Sequence, residues 1–396
     1  MRILFIHEVN YRNKVIFEMH EFPELLALRG HDVTFFHFPE TPDAPKTSLR
    51  TRRERISGRA YPDAELELVT PPTFGGGRLE RYLAPILDLP ALRAEIGRGG
   101  YDVILLYAVP TTGWQTIAVA KRSGVPVVFR ALDVSHKIRS HVLAPLVRIA
   151  ERYIYRNAIL LSANNPAMAE YCIAESGRTL PTVVNLPPVD LAHFEAEIDD
   201  DRRAELGLTD RNKILLYMGT FFRFSGLDIV MRQLVPQFAA NPDLRLVLVG
   251  GGEMDRSLRE LAAELDIEDR VVFTGVVPYA SLPGYLKIAD VAINPFYPEL
   301  LTHVALPHKV LQYMASGVPA VSTKLDGLHG VLGSASGVTW VHGPQEVASA
   351  AVELLHRGET TLRAIAKTQK TALAEKFSRA GAVESLEATL LSAVSR

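Results

Sequence analysis

The chain has 396 residues, 47% of them hydrophobic, a formal net charge of −2 and a single cysteine, Cys172. That length supports two domains, each able to bury its own core. Near-neutral charge argues against a nucleic acid partner, and one cysteine excludes an intrachain disulfide framework and weighs against a Cys-based metal site.

From the N-terminus, "MRILFIHEVN" is too short an apolar run for a signal-peptide core or a membrane span. A cytoplasmic location follows as the default, with peripheral contact at the inner face of the cell membrane left open. "RILFI" reads as a buried strand, and 16–28 as a helix that Pro23 interrupts or kinks. "RGHDVTFFHF" adds a glycine stop and a second strand. Residues 39–65 are polar and carry Arg50, Arg52, Arg53 and Arg55. They read as a loop or a mobile excursion, whose arginines meet an acidic acceptor group or stand in solvent. "YDVILLYA" and "VPVVFRALD" are strands separated by the helix "QTIAVAKRSG". A long helix over 143–156 precedes the strand "AILLSAN". Arg148, Arg152 and Arg156 recur along that helix, with Leu146, Ile149, Ala150, Tyr153 and Ile154 between them. An amphipathic helix packed on its own sheet explains this pattern, and so does contact with anionic lipid.

The paired prolines of "VVNLPPVDLAHF" suit a stiff connection between domains. The alternation then restarts with "KILLYMG", "LRLVLVGGG", "VVFTG", "VAINP", "PAVST" and "GVTWV" as strands, with helices between them. The fold class is α/β: two Rossmann-like domains facing across a cleft. The expected divisions are 1–184, a linker over 185–194, a second domain over 195–375, and a last helix over 376–396 that returns toward the first domain.

Open parallel sheets bind ligands beyond the carboxyl ends of their strands. This directs attention to 7–14, 133–136, 219–226, 250–253 and 275–279. In "YMGTFFRFSG", Gly219 ends a strand, and Arg223 can clamp a phosphate with its planar fork or be a plain loop arginine. "VGGGEM" lacks the full dinucleotide fingerprint, and a plain strand-to-helix turn explains it equally well. In "LPHKVLQYMASGVPAVST", Leu306 and Pro307 open a helix whose free amides attract an anion. Lys309 opposes the helix dipole unless a phosphate lies beside it, and Gln312 follows one turn later on the same side. A surface lysine and glutamine remain the alternative. His136 follows the strand "VPVVFRALD", where it either enters the cleft or caps locally. No histidine spacing suits a metal, and no serine sits in a hydrolase elbow.

Taken together, these motifs resemble the retaining GT-B glycosyltransferases of family 4. "VVNLPPVDLAHF" matches the linker V-x-N-G-V-D-x-x-x-F at Asn185, Asp190 and Phe194. "YMGTFFRFSGLDIV", "LRLVLVGGG", "DRVVFTGVVPYASLPGYLKIADVAINPF" and "LPHKVLQYMASGVPAVST" follow in family order, and "FSRAGAVESLEATL" resembles the late F-S helix. The resemblance implies transfer of a sugar from a nucleotide-diphosphate sugar, with retention and without metal or other cofactor. The acceptor is a glycan, a lipid-linked molecule or a small molecule. No oligomeric state follows.

On this resemblance the catalytic candidates are Arg223, Lys309 and His136. The substrate-binding candidates are Asn13, Asp133, Gly219, Val277, Val304, Leu306 and Gln312. Several positions depart from the family pattern. The two glutamates usually eight apart fall on Val304 and Gln312. The loop lysine is Ser225. "NYRNKV" stands where a glycine pair is common, and the family histidine would fall near Leu132 rather than His136. These changes keep a second reading in view, a catalytically silent GT-B nucleotide-binding subunit.

Overall fold

Short aliphatic runs become buried strands in both halves of the chain, because parallel strands covered on two faces need apolar side chains on both. The computed structural model describes residues 1–39, 47–73, 78–98, 100–138, 143–177, 181–196 and 201–396. The chain divides into two units, Met1–Pro188 with Arg379–Arg396, and Val189–Ser378.

The first unit carries β1 (Arg2–Ile6), β2 (Asp32–Phe36), β3 (Arg52–Ser57), β4 (Glu65–Thr70), β5 (Val103–Leu106), β6 (Val127–Ala131), β7 (Leu160–Ala163) and β8 (Thr182–Val184). They form one sheet in the order β3-β4-β2-β1-β5-β6-β7-β8. Only the β3–β4 pair is antiparallel. The order reverses between β1 and β5, so the residues after those strands occupy the switch point.

β3 corrects the expectation of a loop over 39–65, of which 40–46 lie outside the described residues. A charged edge strand has no apolar run to announce it, yet charges are what keep an edge from pairing with another chain. Arg53 pairs with Glu67 and with Glu95 (2.5 Å), Arg55 with Glu65 (3.0 Å), and Glu54 with Arg12 (2.6 Å). Arg53 and Arg55 are thus committed to pairs within the unit rather than held for an acidic acceptor. The helix Glu18–Leu28 contains Pro23 instead of ending at it.

The last helix, Arg379–Val394, buries Val383, Leu386 and Leu390 in the core of this unit. Glu387 accepts from His31 (2.7 Å) and Arg29 (2.8 Å). Asn185, expected in a linker, is fully buried. Its amide donates to Ser385 (2.8 Å) and Thr389 (3.0 Å).

The second unit carries β9 (Lys213–Met218), β10 (Leu244–Val249), β11 (Val271–Gly275), β12 (Val291–Asn294), β13 (Ala320–Thr323) and β14 (Thr339–Val341). All pairs are parallel, in the order β11-β10-β9-β12-β13-β14. This is the dinucleotide-fold strand order, and its switch point lies between β9 and β12. Among the described residues, no helix is long and apolar enough to cross a membrane.

Candidate active site

At the switch point of the second unit, β9 runs into Gly219 and β12 into Pro295 and Phe296. Helix His308–Ala315 starts nearby. Pro307 stands at its N-cap rather than inside its first turn, with Val310 N–H donating to Pro307 O (3.1 Å). This start sends Lys309 back over the end of β9. Its Nζ donates to the Tyr217 hydroxyl (2.5 Å) and lies 3.8 Å from the Tyr217 ring centre and 4.5 Å from that of Phe296. Among the described residues it has no carboxylate partner. Burial pulls its pKa well below the usual lysine value. Aromatic faces compensate an enclosed ammonium only in part.

Gly219 makes this arrangement possible. Its φ is +135°, a region that side chains disfavour, and a Cβ there would stand 2.9 Å from Lys309 Nζ. Tyr313 fixes the same strand end: Met218 N–H donates to its hydroxyl (2.8 Å). The loop after Gly219 continues the aromatic contacts. Phe222 stacks on Phe224 (4.9 Å), and Phe224 meets Phe296 edge-on (5.2 Å). Between those two phenylalanines Arg223 is exposed. Its backbone N–H donates to Glu253 (3.1 Å), and its guanidinium has no partner among the described residues. The glycine turn after β10 clamps the loop, since Phe221 N–H donates to Gly251 O (2.9 Å). Ser225, at the family's lysine position, is buried and bonded to Phe222 O.

Gln312 is half-buried, one turn after Lys309, and makes no side-chain hydrogen bond among the described residues. Val304 and Leu306 pack their side chains into the core, so only their backbone can serve a ligand. Val277 is half-buried after β11, beside the exposed Val276. The structure therefore brings together Gly219 and Lys309, with Arg223 joined to them through the phenylalanines. It adds Tyr217, Phe296 and Tyr313. Each of these lies in a run quoted above, yet none had a signal of its own in the sequence.

In the first unit, the turn after β1 is held by side chains where the family has glycines. Tyr11 O accepts from Arg59 (2.7 Å) and bonds His20 Nε2 (2.8 Å), while the Tyr11 hydroxyl donates to Glu24 (2.5 Å). Lys14 O also accepts from Arg59 (2.5 Å), which fixes the turn bearing the exposed Asn13. Burial lowers the pKa of His20 to about 3. Asp133, after β6, is open to solvent on one side. Desolvation by the surrounding protein, followed by the charge of Glu18, pushes its carboxyl up to about 6 against the pull of Lys14. His136 is buried, with Nδ1 bonded to Glu151. Among the described residues no cluster of His, Cys, Asp and Glu is disposed to hold a metal ion.

Residues 212–357 match the family model "Glycosyl transferases group 1", and 19–188 match "Glycosyl transferase 4-like domain". A D-inositol 3-phosphate glycosyltransferase of Thermobispora bispora is 30% identical over 305 residues, covering 70% of this chain and 67% of that protein. The chain belongs to the family 4 glycosyltransferases. A D-inositol 3-phosphate glycosyltransferase of Pseudarthrobacter chlorophenolicus is 27% identical, covering 61% of this chain, and the chain spans 59% of that protein's length. The solved structure of HepE from Anabaena, in complex with UDP, is similar over 99% of this chain and 100% of its own, with a TM-score of 0.74 at 18% identity. At that identity the likeness establishes the GT-B fold alone. Within a family 4 glycosyltransferase the first matched segment contains Gly219, Arg223, Lys309 and Gln312, and the second contains Asp133 and His136.

Proposed function

We propose that the chain transfers a sugar from a uridine-diphosphate sugar to a hydroxyl acceptor, with retention and without metal, on the cytoplasmic side of the membrane in glycolipid or polysaccharide synthesis. One observation carries the donor reading: a lysine ammonium over two aromatic rings with no carboxylate partner among the described residues, set beside a glycine in a backbone conformation that side chains disfavour, at the switch point of the second sheet. Lys309 and Arg223 supply positive charge where a diphosphate leaves, which is electrostatic stabilisation of the transition state. Gln312 meets a ribose hydroxyl in place of the usual carboxylate. HepE, solved with UDP and with UDP-glucose, supports uridine as the base. Asp133, His136 and Asn13 serve the acceptor from the first unit.

Calorimetric titration with UDP, GDP and TDP tests the donor reading. Binding of UDP, followed by UDP release from UDP-glucose, is the expected result. Binding of none of the three overturns it. Tight UDP binding with no release from any UDP-sugar would favour the silent subunit.

The surface of helix Ala144–Asn157 favours a lipid-linked acceptor. Its arginines do not form a free basic face. Arg148 and Arg152 pair with Glu175 (2.7 and 2.6 Å), and Arg156 donates to Ser176 O (2.7 Å). Residues 139–142 of the same stretch lie outside the described residues. Leu146, Ile149 and Tyr153 instead form an outward stripe at helical spacing, 61%, 62% and 39% exposed. Such a stripe suits shallow insertion led by apolar area rather than by charge. Co-sedimentation with phosphatidylcholine vesicles containing phosphatidylglycerol should therefore persist at high salt and be lost in Leu146→Asp/Ile149→Asp. Binding that vanishes with salt, or survives the double substitution, contradicts this reading.

A further inference from the structure

The pair His136–Glu151 is unusual in its chemistry. Glu151, on helix Ala144–Asn157, is 0% exposed and, among the described residues, has no arginine or lysine bonded to it. Both of its oxygens serve one short turn, Ser135–Ile138, beyond the carboxyl end of β6. Oε1 accepts Ser135 N–H (2.7 Å), and Oε2 meets His136 Nδ1. The Ser135 amide can only donate, so Oε1 is an acceptor in every protonation state. The other ring nitrogen, Nε2, makes no hydrogen bond among the described residues.

A glutamine would satisfy the Ser135 amide equally well at no cost in buried charge, and its NH2 would donate to Nδ1. It would also reverse the imidazole, leaving Nε2 protonated. Only a carboxylate accepts from Nδ1–H and leaves Nε2 as a bare lone pair. We propose that Glu151 is a positioning residue that holds His136 with Nδ1–H turned inward, so that Nε2 accepts a hydrogen bond from the attacking hydroxyl. This rests on the reading above that the first unit serves the acceptor.

The surroundings set the pH dependence. Arg148 and Arg152 on the same helix, Glu175, Tyr171 and Cys172 on helix Pro166–Ser176, Lys137 in the turn, and Tyr155 all act on the pair. Burial, the largest cause, lifts Glu151 to about 8 and lowers His136. The two therefore titrate as a unit that shares one proton near neutrality. As pH rises that proton is lost, the carboxylate accepts from Nδ1–H, and the bare Nε2 form accumulates. Activity that needs it rises with pH and then levels.

The test compares the full-length wild type with Glu151→Gln, which keeps the shape of the side chain. Histidine side-chain nitrogen NMR on the alkaline side should place the His136 proton on Nδ1 in the wild type and on Nε2 in Glu151→Gln. UDP release from UDP-glucose, with water as acceptor, should rise with pH in the wild type. In Glu151→Gln the profile should be flat and the plateau about tenfold lower, the loss expected for one hydrogen bond to the reacting group. His136→Phe should be equally flat. UDP binding, measured separately, should match in all three proteins. The same tautomer in both forms, or a tautomer that switches with no change in profile, overturns the proposal. Failure of the wild type to bind UDP would instead strike the donor reading on which it rests.

Discussion

Lys309→Met is expected to weaken UDP binding by about tenfold to a hundredfold while leaving the protein no less stable. The expected loss is that of a charge-assisted hydrogen bond to phosphate, roughly 1.5–3 kcal/mol. The stability half of the prediction follows from where the ammonium sits. Lys309 Nζ has the Tyr217 hydroxyl and two aromatic faces around it, and no carboxylate among the described residues. Each aromatic face returns about 0.5–2 kcal/mol, against a larger penalty for withdrawing an ammonium from water. Methionine fills a similar volume and carries no charge to desolvate. A group kept at a cost to the free protein is one whose partner arrives with the ligand. Uridine provides the control, because it lacks the diphosphate and should bind both forms alike. Parallel loss of UDP and uridine affinity, or a lowered unfolding temperature in Lys309→Met, would make the lysine a structural one.

The parts of this architecture that were legible in the sequence are those that depend on neighbours in the chain. Continuous apolar runs such as "KILLYMG" and "LRLVLVGGG" became β9 and β10, because a strand buried on both faces has little other composition open to it. The start of the helix bearing Lys309 and Gln312 was visible from Pro307. The strand Arg52–Ser57 was not, since its cohesion comes from arginine–glutamate pairs with β4 and with Glu95, 42 positions away. Helix Pro166–Ser176 had an overlooked start signal: the Asn165 side chain accepts from Met168 N–H (2.9 Å), directly ahead of a proline. The cage around Lys309 was out of reach for another reason. Its tyrosine lies 92 positions away, and nothing in the pattern of a strand says that its tyrosine will receive a lysine. Glu151 was similarly silent, because a carboxylate on the inner side of a helix breaks the very periodicity by which that side is recognised.

The largest expected loss of stability is in the first unit, where Arg130→Met or Glu18→Gln alone should cost about 3–5 kcal/mol. Arg130 lies on β6 in the middle of the sheet, and both its side chain and that of Glu18 are 0% exposed. Two parallel bonds of 2.8 Å join them. The remaining donors of Arg130 reach Ser162 on β7 (3.0 Å) and the Asn185 carbonyl after β8 (2.8 Å). Asn185 carries the connection on to Ser385 and Thr389 of the last helix. One guanidinium thus ties helix Glu18–Leu28, β7, the end of β8 and, through Asn185, the C-terminal helix. Removing one charge leaves the other buried without its bidentate partner, whereas removing both leaves an apolar site that can repack. The double substitution Glu18→Leu/Arg130→Met should therefore recover much of the loss, and additive losses would contradict a coupled pair. Glu18 also links this framework to the residue proposed to meet the acceptor, because its charge is one of the causes that raise Asp133. In Glu18→Gln the Asp133 carboxyl should titrate lower than in the wild type, a shift that carboxyl NMR would read directly.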